Sequence, residues 1–171
     1  MSPDEAAPAA LPTPSLGRRV AAMVYESVLL AAIAFFGGVL FLFVSGGQPA
    51  EGWLRVAQQA YLLALFATYF LWCWLRGGQT LAMKAWRIRL VAPGQARVPP
   101  GVALARFLWA TLFVGLFLLA VAWAFKHRDP WITFLTLGLA GLGPGWAFFD
   151  RDRQFLHDRL AGTRLVLLPK G

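Results

Sequence analysis

Glu26 is the side chain of this sequence that most clearly calls for a chemical explanation, because it stands inside a long apolar stretch. Counted from Val20 at a rise of 1.5 Å per residue, it lies about 9 Å into the first predicted helix. A carboxylate at that depth must be protonated, paired or in contact with water. An ionisable residue within a membrane span is a functional hypothesis by default, and Glu26 is therefore the first candidate site residue.

Arg106 is the candidate partner of Glu26, since it occupies a comparable depth at the start of another apolar stretch. Arg19 lies two helical turns before Glu26 on the same face, too far for an easy contact within one helix. The sequence therefore predicts an ion pair between Glu26 and Arg106. One interpretation is an ion pair that fixes helix packing, or an Arg106 that snorkels to the interface; the other is a proton or ion relay.

His157, Asp158 and Arg159 stand together near the C-terminus. Acid and base chemistry uses such groups, but no nucleophile and no metal-ligand set with the required spacing accompanies them. We therefore predict no enzyme activity, no cofactor and no metal site. The expected role is structural, with Asp158 accepting hydrogen bonds from arginines at the cytosolic surface. The candidate donors are Arg19, Arg87 and Arg89.

Long apolar stretches are the elements that must position these groups. Of the 171 residues, 58% are hydrophobic and only 14% are charged, which departs far from a soluble composition. A helix needs about 20 apolar residues to cross about 30 Å of hydrocarbon. Four transmembrane helices are predicted, at 20–44, 53–75, 103–125 and 131–149. Residues 1–15 are rich in Ala and Pro and are predicted to be a disordered cytosolic tail before a single transmembrane domain at 16–171.

Basic residues set the predicted orientation. Most of the 16 Lys and Arg residues fall on the side of the predicted membrane that also holds both termini. The positive-inside rule then places both termini in the cytoplasm. A basic cytosolic face suits anionic lipid headgroups as partners. No globular domain is left over to hold a nucleic acid, so nucleic-acid binding is not predicted.

A basic phrase occurs twice, once after each pair of predicted spans. The pattern RxxQxLxx(K/R)xxxxRLV begins at Arg76 and again at Arg151. Its inner polar positions are Gln79 and Lys84 in the first copy and Gln154 and Arg159 in the second. An internal repeat implies two related halves, here about 16–92 and 102–168, each an antiparallel helical hairpin. Both hairpins start and end on the same side, so the repeat is parallel and not inverted.

Each copy of the phrase also predicts local structure at the cytosolic surface. Residues 79–85 fit a short amphipathic helix along the interface, and the second copy repeats this pattern loosely. From Trp86 to Val91, apolar and basic residues then alternate until the last step, which indicates a strand, and the matching strand runs from Thr163 to Leu168. We expect the two strands to pair, because a lone strand leaves its backbone polar groups unpaired.

Three phrases bracket nearly all of the chain: RRVAAMVYE at 18–26, GQTLAMK at 78–84 and DRDRQFLHDRLAGT at 150–163. With these phrases the sequence resembles the RDD family of small bacterial membrane proteins. The family is named for one arginine and two aspartates; Arg19 matches the arginine, Asp158 matches the second aspartate, and Glu26 stands where the first is expected. The resemblance implies a multi-pass protein of the bacterial inner membrane. A transport role, including sodium and proton exchange, has been suggested for some members.

Two function classes remain open from the sequence. The first is a transporter or ion-translocating protein with Glu26 as the titrating group, Arg19 and Arg106 influencing its protonation, and Asp158 at the cytosolic mouth. Four helices make a narrow bundle, so a homo-oligomer or a partner membrane protein is expected. The alternative is a non-transport scaffold or accessory subunit whose basic cytosolic face binds anionic lipid or a partner protein. A membrane enzyme is the weakest hypothesis, because no catalytic constellation converges in the sequence.

Overall fold

The computed structural model describes residues 11–48, 50–127, 130–150 and 154–169. The described part is mostly helical and includes one small sheet. Its helices are α1 (Leu16–Val44), α2 (Gly52–Gly77), α3 (Leu81–Ala85), α4 (Pro100–His127), α5 (Pro130–Gly145) and α6 (Leu156–Leu160). A 3-10 turn at Trp146–Phe148 follows α5, and the strands are β1 (Ile88–Val91) and β2 (Arg164–Leu167).

Three of these helices are long and apolar enough to cross a membrane. They are Leu16–Val44, Gly52–Gly77 and Pro100–Lys126. Large apolar side chains along them are exposed, as hydrocarbon-facing positions must be; Phe43 is 79% exposed. The predicted fourth span coincides with α5, which has 16 residues and ends where the backbone tightens into the 3-10 turn. It is shorter than the roughly 20 residues that a full crossing needs.

The long helices pack in a chain of neighbours: α1 lies against α2, α2 against α4, and α4 against α5. Gly37 brings α1 and α2 close together. A Cβ atom at Gly37 would lie 2.6 Å from Cδ1 of Leu65, whereas one at Gly38 would meet nothing within 4 Å. The missing side chain therefore permits the close approach, as small residues do between membrane helices.

The short elements gather at one end of the helices, which we call the sheet end; it comprises α3, α6, β1 and β2. The two strands pair antiparallel, from Ile88 opposite Leu167 to Val91 opposite Arg164. They lie within the two stretches that the alternation indicates, and their pairing joins the two copies of the repeated phrase. The core sits at this end. Its buried members include Ala22, Trp74, Met83, Ile88, Leu90, Ala103, Phe107 and Leu165.

Part of the predicted tail belongs to this core region. The disordered tail is predicted at 1–15, and residues 1–10 of it lie outside the described residues. Residues 11–15 make contacts with the domain: the amide of Leu167 donates to the carbonyl of Pro12 at 2.8 Å, extending β2. Arg164 Nη2 donates to Thr13 Oγ1 at 3.3 Å. Pro12 and Thr13 thus lie against β2.

Candidate functional site

Glu26 in α1 contacts two hydroxyl groups from other elements. Tyr69 of α2 donates its hydroxyl to Oε1 at 2.6 Å. Thr80, which precedes α3, donates its hydroxyl to Oε2. Within the described ranges, no Lys, Arg or His forms an ion pair with Glu26. The acid is thus held by neutral donors at a junction of α1, α2 and α3.

The Thr80 hydroxyl is held by a second hydrogen bond, in which it is the acceptor, so its proton remains available for donation to Glu26. Its side chain is 1% exposed, and its hydroxyl oxygen accepts from the amide of Met83 at 3.2 Å, which caps the start of α3. A hydroxyl has one proton to donate and lone pairs with which to accept. Accepting from Met83 while donating to Glu26 therefore satisfies it on both sides. The state of the Glu26 carboxyl is coupled directly to the cap of α3.

Arg106 does not pair with Glu26, so the predicted ion pair is wrong. Its Nη2 lies 2.5 Å from Oδ1 of Asp158, and the two side chains are 8% and 0% exposed. The physical reason is tertiary: α6 packs against α4 and brings Asp158 to the first turns of that helix. The guanidinium also lies over the Trp74 ring, with Cζ 4.6 Å from the ring centre. An aromatic face and a carboxylate together compensate a buried cation.

Asp158 therefore takes its cation from α4 and not from the three arginines that the sequence analysis proposed. Arg19 is 2% exposed, and its Nε donates to the carbonyl of Pro14 at 3.1 Å. Its Cζ lies 5.2 Å from the centre of the Phe155 ring. Arg19 thus anchors the segment before α1 beside α6. Asp158 also uses its backbone carbonyl, which accepts from the amide of Thr163 at 2.9 Å before β2.

His157 flanks the buried ion pair as a neutral ring. Its Nε2 lies 3.6 Å from Oδ1 of Asp158, which is too long for a well-formed hydrogen bond. Burial lowers the pKa of His157 to about 4; the Asp158 charge opposes this shift and the Arg106 charge adds to it. The imidazole is therefore uncharged near neutral pH. Of the trio predicted at 157–159, His157 and Asp158 thus lie at the buried ion pair, whereas Arg159 pairs with Asp150.

The two glutamines of the repeated phrase have matching structural roles. Gln79 donates its side-chain Nε2 to the carbonyl of Ile88 at 2.7 Å, at the start of β1. Gln154 accepts with Oε1 from the amide of Leu165 at 3.1 Å, in β2. Each glutamine therefore holds the strand of its own copy. This accounts for a polar residue at the same place in both halves.

The inner basic residue of each copy, Lys84 or Arg159, lies at the surface. Lys84 is exposed in the last turn of α3. Arg159 is 48% exposed on its side chain, with Nε 2.7 Å from Oδ1 of Asp150. The predicted site residues thus fall into four groups: the acid of α1, the buried pair between α4 and α6 with its neighbours Arg19 and His157, the two strand-holding glutamines, and the exposed Lys84 and Arg159.

Tyr69 and Thr80 are site residues that the sequence analysis missed. The available signal was weak: a tyrosine within an apolar span, and a threonine in the first residues of the helix predicted at 79–85, where a capping residue is expected. Tyr69 also lines an apolar groove between α1 and α2, together with Leu29, Ile33, Phe36, Leu65 and Leu81. Tyr69 therefore connects this groove with Glu26.

The long apolar helices are those of an integral membrane protein. A buried ion pair and a small sheet lie at one end of them. The RDD family model matches residues 13–162, and the chain belongs to the RDD family. The resemblance seen in the three phrases is thereby confirmed. No curated protein and no solved structure matches the chain.

Proposed function

We propose that this protein translocates a proton or a small monovalent cation across the membrane, with Glu26 as the group that binds and releases it. The observation that carries the proposal is the setting of the carboxylate: two hydroxyl donors, Tyr69 and Thr80, and no ion-paired cation in the described ranges. Such an acid gains or loses a proton without first breaking a salt bridge. Its two hydrogen-bond partners are hydroxyl oxygens, which also suit a hard cation.

Occupancy of Glu26 has a direct route to the sheet end. The carboxylate accepts from both hydroxyls, and protonation leaves it with one strong acceptor oxygen. The Tyr69 and Thr80 contacts then become unequal. Since Thr80 also caps α3, a change at Glu26 shifts the balance of hydrogen bonds that hold α3 against α1. We propose this coupling as the link between ion binding and movement of the sheet end.

The proposed arrangement in the membrane has four spans, with α5 as a short fourth crossing and both termini on the cytoplasmic side of a bacterial inner membrane. The described basic residues of the repeated phrase that belong to the sheet end support this orientation; they are Lys84, Arg89, Arg159 and Arg164. The halves at about 16–92 and 102–168 form two hairpins. The apolar groove between α1 and α2 supports a homo-oligomer or a partner membrane protein that encloses the pathway.

The test is a flux measurement in proteoliposomes loaded with a pH-sensitive dye. An imposed sodium gradient or pH gradient drives the exchange, and the dye reports proton movement. Glu26→Gln keeps the shape of the side chain but removes its charge, and we expect its flux to fall to the level of empty liposomes. Glu51→Gln is the matched control, because Glu51 is exposed before α2 and makes no side-chain cap hydrogen bond. Unchanged flux in Glu26→Gln would overturn the proposed role.

A scaffold or accessory subunit is the second candidate function. The observation that favours it is the contact between the two halves, made by the antiparallel pairing of β1 with β2 and by the Arg106 guanidinium over the Trp74 ring. A rigid clamp of this kind fits a protein that presents a fixed surface. Under this alternative the reconstituted wild-type protein gives no flux, Glu26→Gln changes stability alone, and a defined membrane partner copurifies.

A further inference from the structure

A basic cavity of about 190 Å³ opens at the sheet end, where α2 ends beside β1 and the loop that follows β1. Three arginines from these three segments line it: Arg76, Arg89 and Arg97. Among the described residues, no Asp or Glu lines it. None of the three arginines forms an ion pair within the part of the chain that the structure describes. The cavity thus concentrates positive charge without an internal counter-ion.

Two of the arginines are held in place by the fold. The Arg76 guanidinium lies over the Trp72 ring, with Cζ 3.7 Å from the ring centre. Arg89 is fixed by its position in β1, opposite Val166 of β2. Its Nε is buried and has no hydrogen-bond partner among the described residues. A buried, unpaired guanidinium nitrogen is costly, so a ligand that accepts from it would be favoured.

Gly78 makes the approach of α2 and β1 possible. Its φ is +67°, a left-handed conformation that ends α2. A Cβ atom there would lie 2.6 Å from the carbonyl oxygen of Leu90 and 3.2 Å from Cγ of Arg89. The amide of Leu90 donates to the carbonyl of Gly78 at 2.7 Å. The turn therefore sets Arg89 beside the end of the helix that carries Arg76.

We propose that this cavity binds the phosphate group of an anionic phospholipid. Guanidinium forks match the several oxygens of a phosphate, and like-charged arginines around one space favour an anion between them. A lipid source is favoured because Arg76 follows directly on the apolar surface of α2, where Trp72 is 57% exposed. Free phosphate shares the same chemistry. The site uses none of the Glu26, Tyr69 and Thr80 contacts, so it stands apart from ion translocation.

The experiment measures lipid binding to the full-length, detergent-solubilised protein by native mass spectrometry. Phosphatidylglycerol is titrated against phosphatidylcholine, with and without inorganic phosphate. The test variants are Arg89→Gln and Arg97→Gln; Arg97 is an exposed loop residue, so the second variant keeps the test valid if the first does not fold. Lys84→Gln is the matched control, because it removes one charge from an exposed residue of the sheet end that does not line the cavity.

We expect each arginine variant to weaken phosphatidylglycerol binding about tenfold, as the loss of one charge-assisted hydrogen bond implies. Phosphatidylcholine binding and the Lys84→Gln protein should be affected far less. Competition by inorganic phosphate would support a site for the phosphate group itself, and its absence would support a site that also requires the lipid. Unchanged phosphatidylglycerol binding in both arginine variants, or an equal loss in Lys84→Gln, would overturn the proposal.

Discussion

Removing one member of the Arg106–Asp158 pair should destabilise the protein strongly. The Nη2 to Oδ1 distance is 2.5 Å, and neither side chain is more than 8% exposed. Unit charges about 4 Å apart attract by about 4 kcal/mol at an effective dielectric constant of 20. Breaking a buried pair from one side typically costs about 3 to 5 kcal/mol, because the remaining charge is left in the interior. We therefore expect a loss of that size for Arg106→Gln and for Asp158→Asn.

The double variant Arg106→Gln with Asp158→Asn isolates the interaction between these two side chains from the interactions of each with the rest of the protein. It leaves no unpaired charge, so it should cost about 2 kcal/mol less than the two single losses added together. Arg159→Gln is the comparison. The Arg159–Asp150 pair is similarly close at 2.7 Å, but Arg159 is 48% exposed, and a loss below about 1 kcal/mol is expected.

Cys73 supplies the assay, because it is the single cysteine of the chain and is half-buried in α2. A thiol-reactive dye that fluoresces on coupling reports unfolding in detergent as the temperature or the denaturant concentration rises. The free energies of unfolding of the four proteins complete the cycle. Single losses below about 1 kcal/mol, or strictly additive losses in the double variant, would refute the interpretation of a coupled buried ion pair.

Two further predictions concern the sheet end. Gly78→Ala should destabilise the fold by about 1 to 3 kcal/mol, since a Cβ at φ +67° is strained and would meet the Leu90 carbonyl. A Cβ at Gly77 would meet nothing within 4 Å, so Gly77→Ala should be neutral or stabilising. Thermal unfolding of both variants tests this, and equal effects would contradict it. Because the pKa of His157 is lowered from 6.5 to about 4, the unfolded chain binds more protons between these values, and stability should fall by about 3 kcal/mol as pH drops through that range. The pH profile of His157→Gln should lack this contribution, and a profile that matches the wild type would contradict it.

The local elements of the sheet end were accessible from the sequence. Alternation from Trp86 to Val91 reflects one side of a strand facing the core, and Ile88 and Leu90 are indeed 1% and 2% exposed. The apolar stretches likewise reflect the hydrophobic length that a bilayer demands. Glu26 stood out for the same reason, since a charge inside such a stretch is costly wherever its partner lies. These features are local, and local sequence encodes them.

The pairing of the polar groups was not accessible. Tyr69 lies 43 residues from Glu26, and Thr80 lies 54 residues from it. No periodicity relates positions so far apart in the chain. The predicted partner, Arg106, was chosen for its depth, but depth does not tell which side of a helix a residue occupies. Because α6 packs against α4, Arg106 pairs with Asp158, and Glu26 accepts hydrogen bonds from hydroxyl groups instead.

The most direct test of the account compares three side chains at position 26 in the proteoliposome flux assay. Glu26→Asp keeps an acid within the membrane and has the residue that the family expects there, whereas Glu26→Gln keeps the length but cannot titrate. The account predicts that the wild-type protein and Glu26→Asp both translocate, with Glu26→Asp slower because it is one methylene shorter, and that Glu26→Gln does not. Equal flux in Glu26→Gln and the wild type would contradict it.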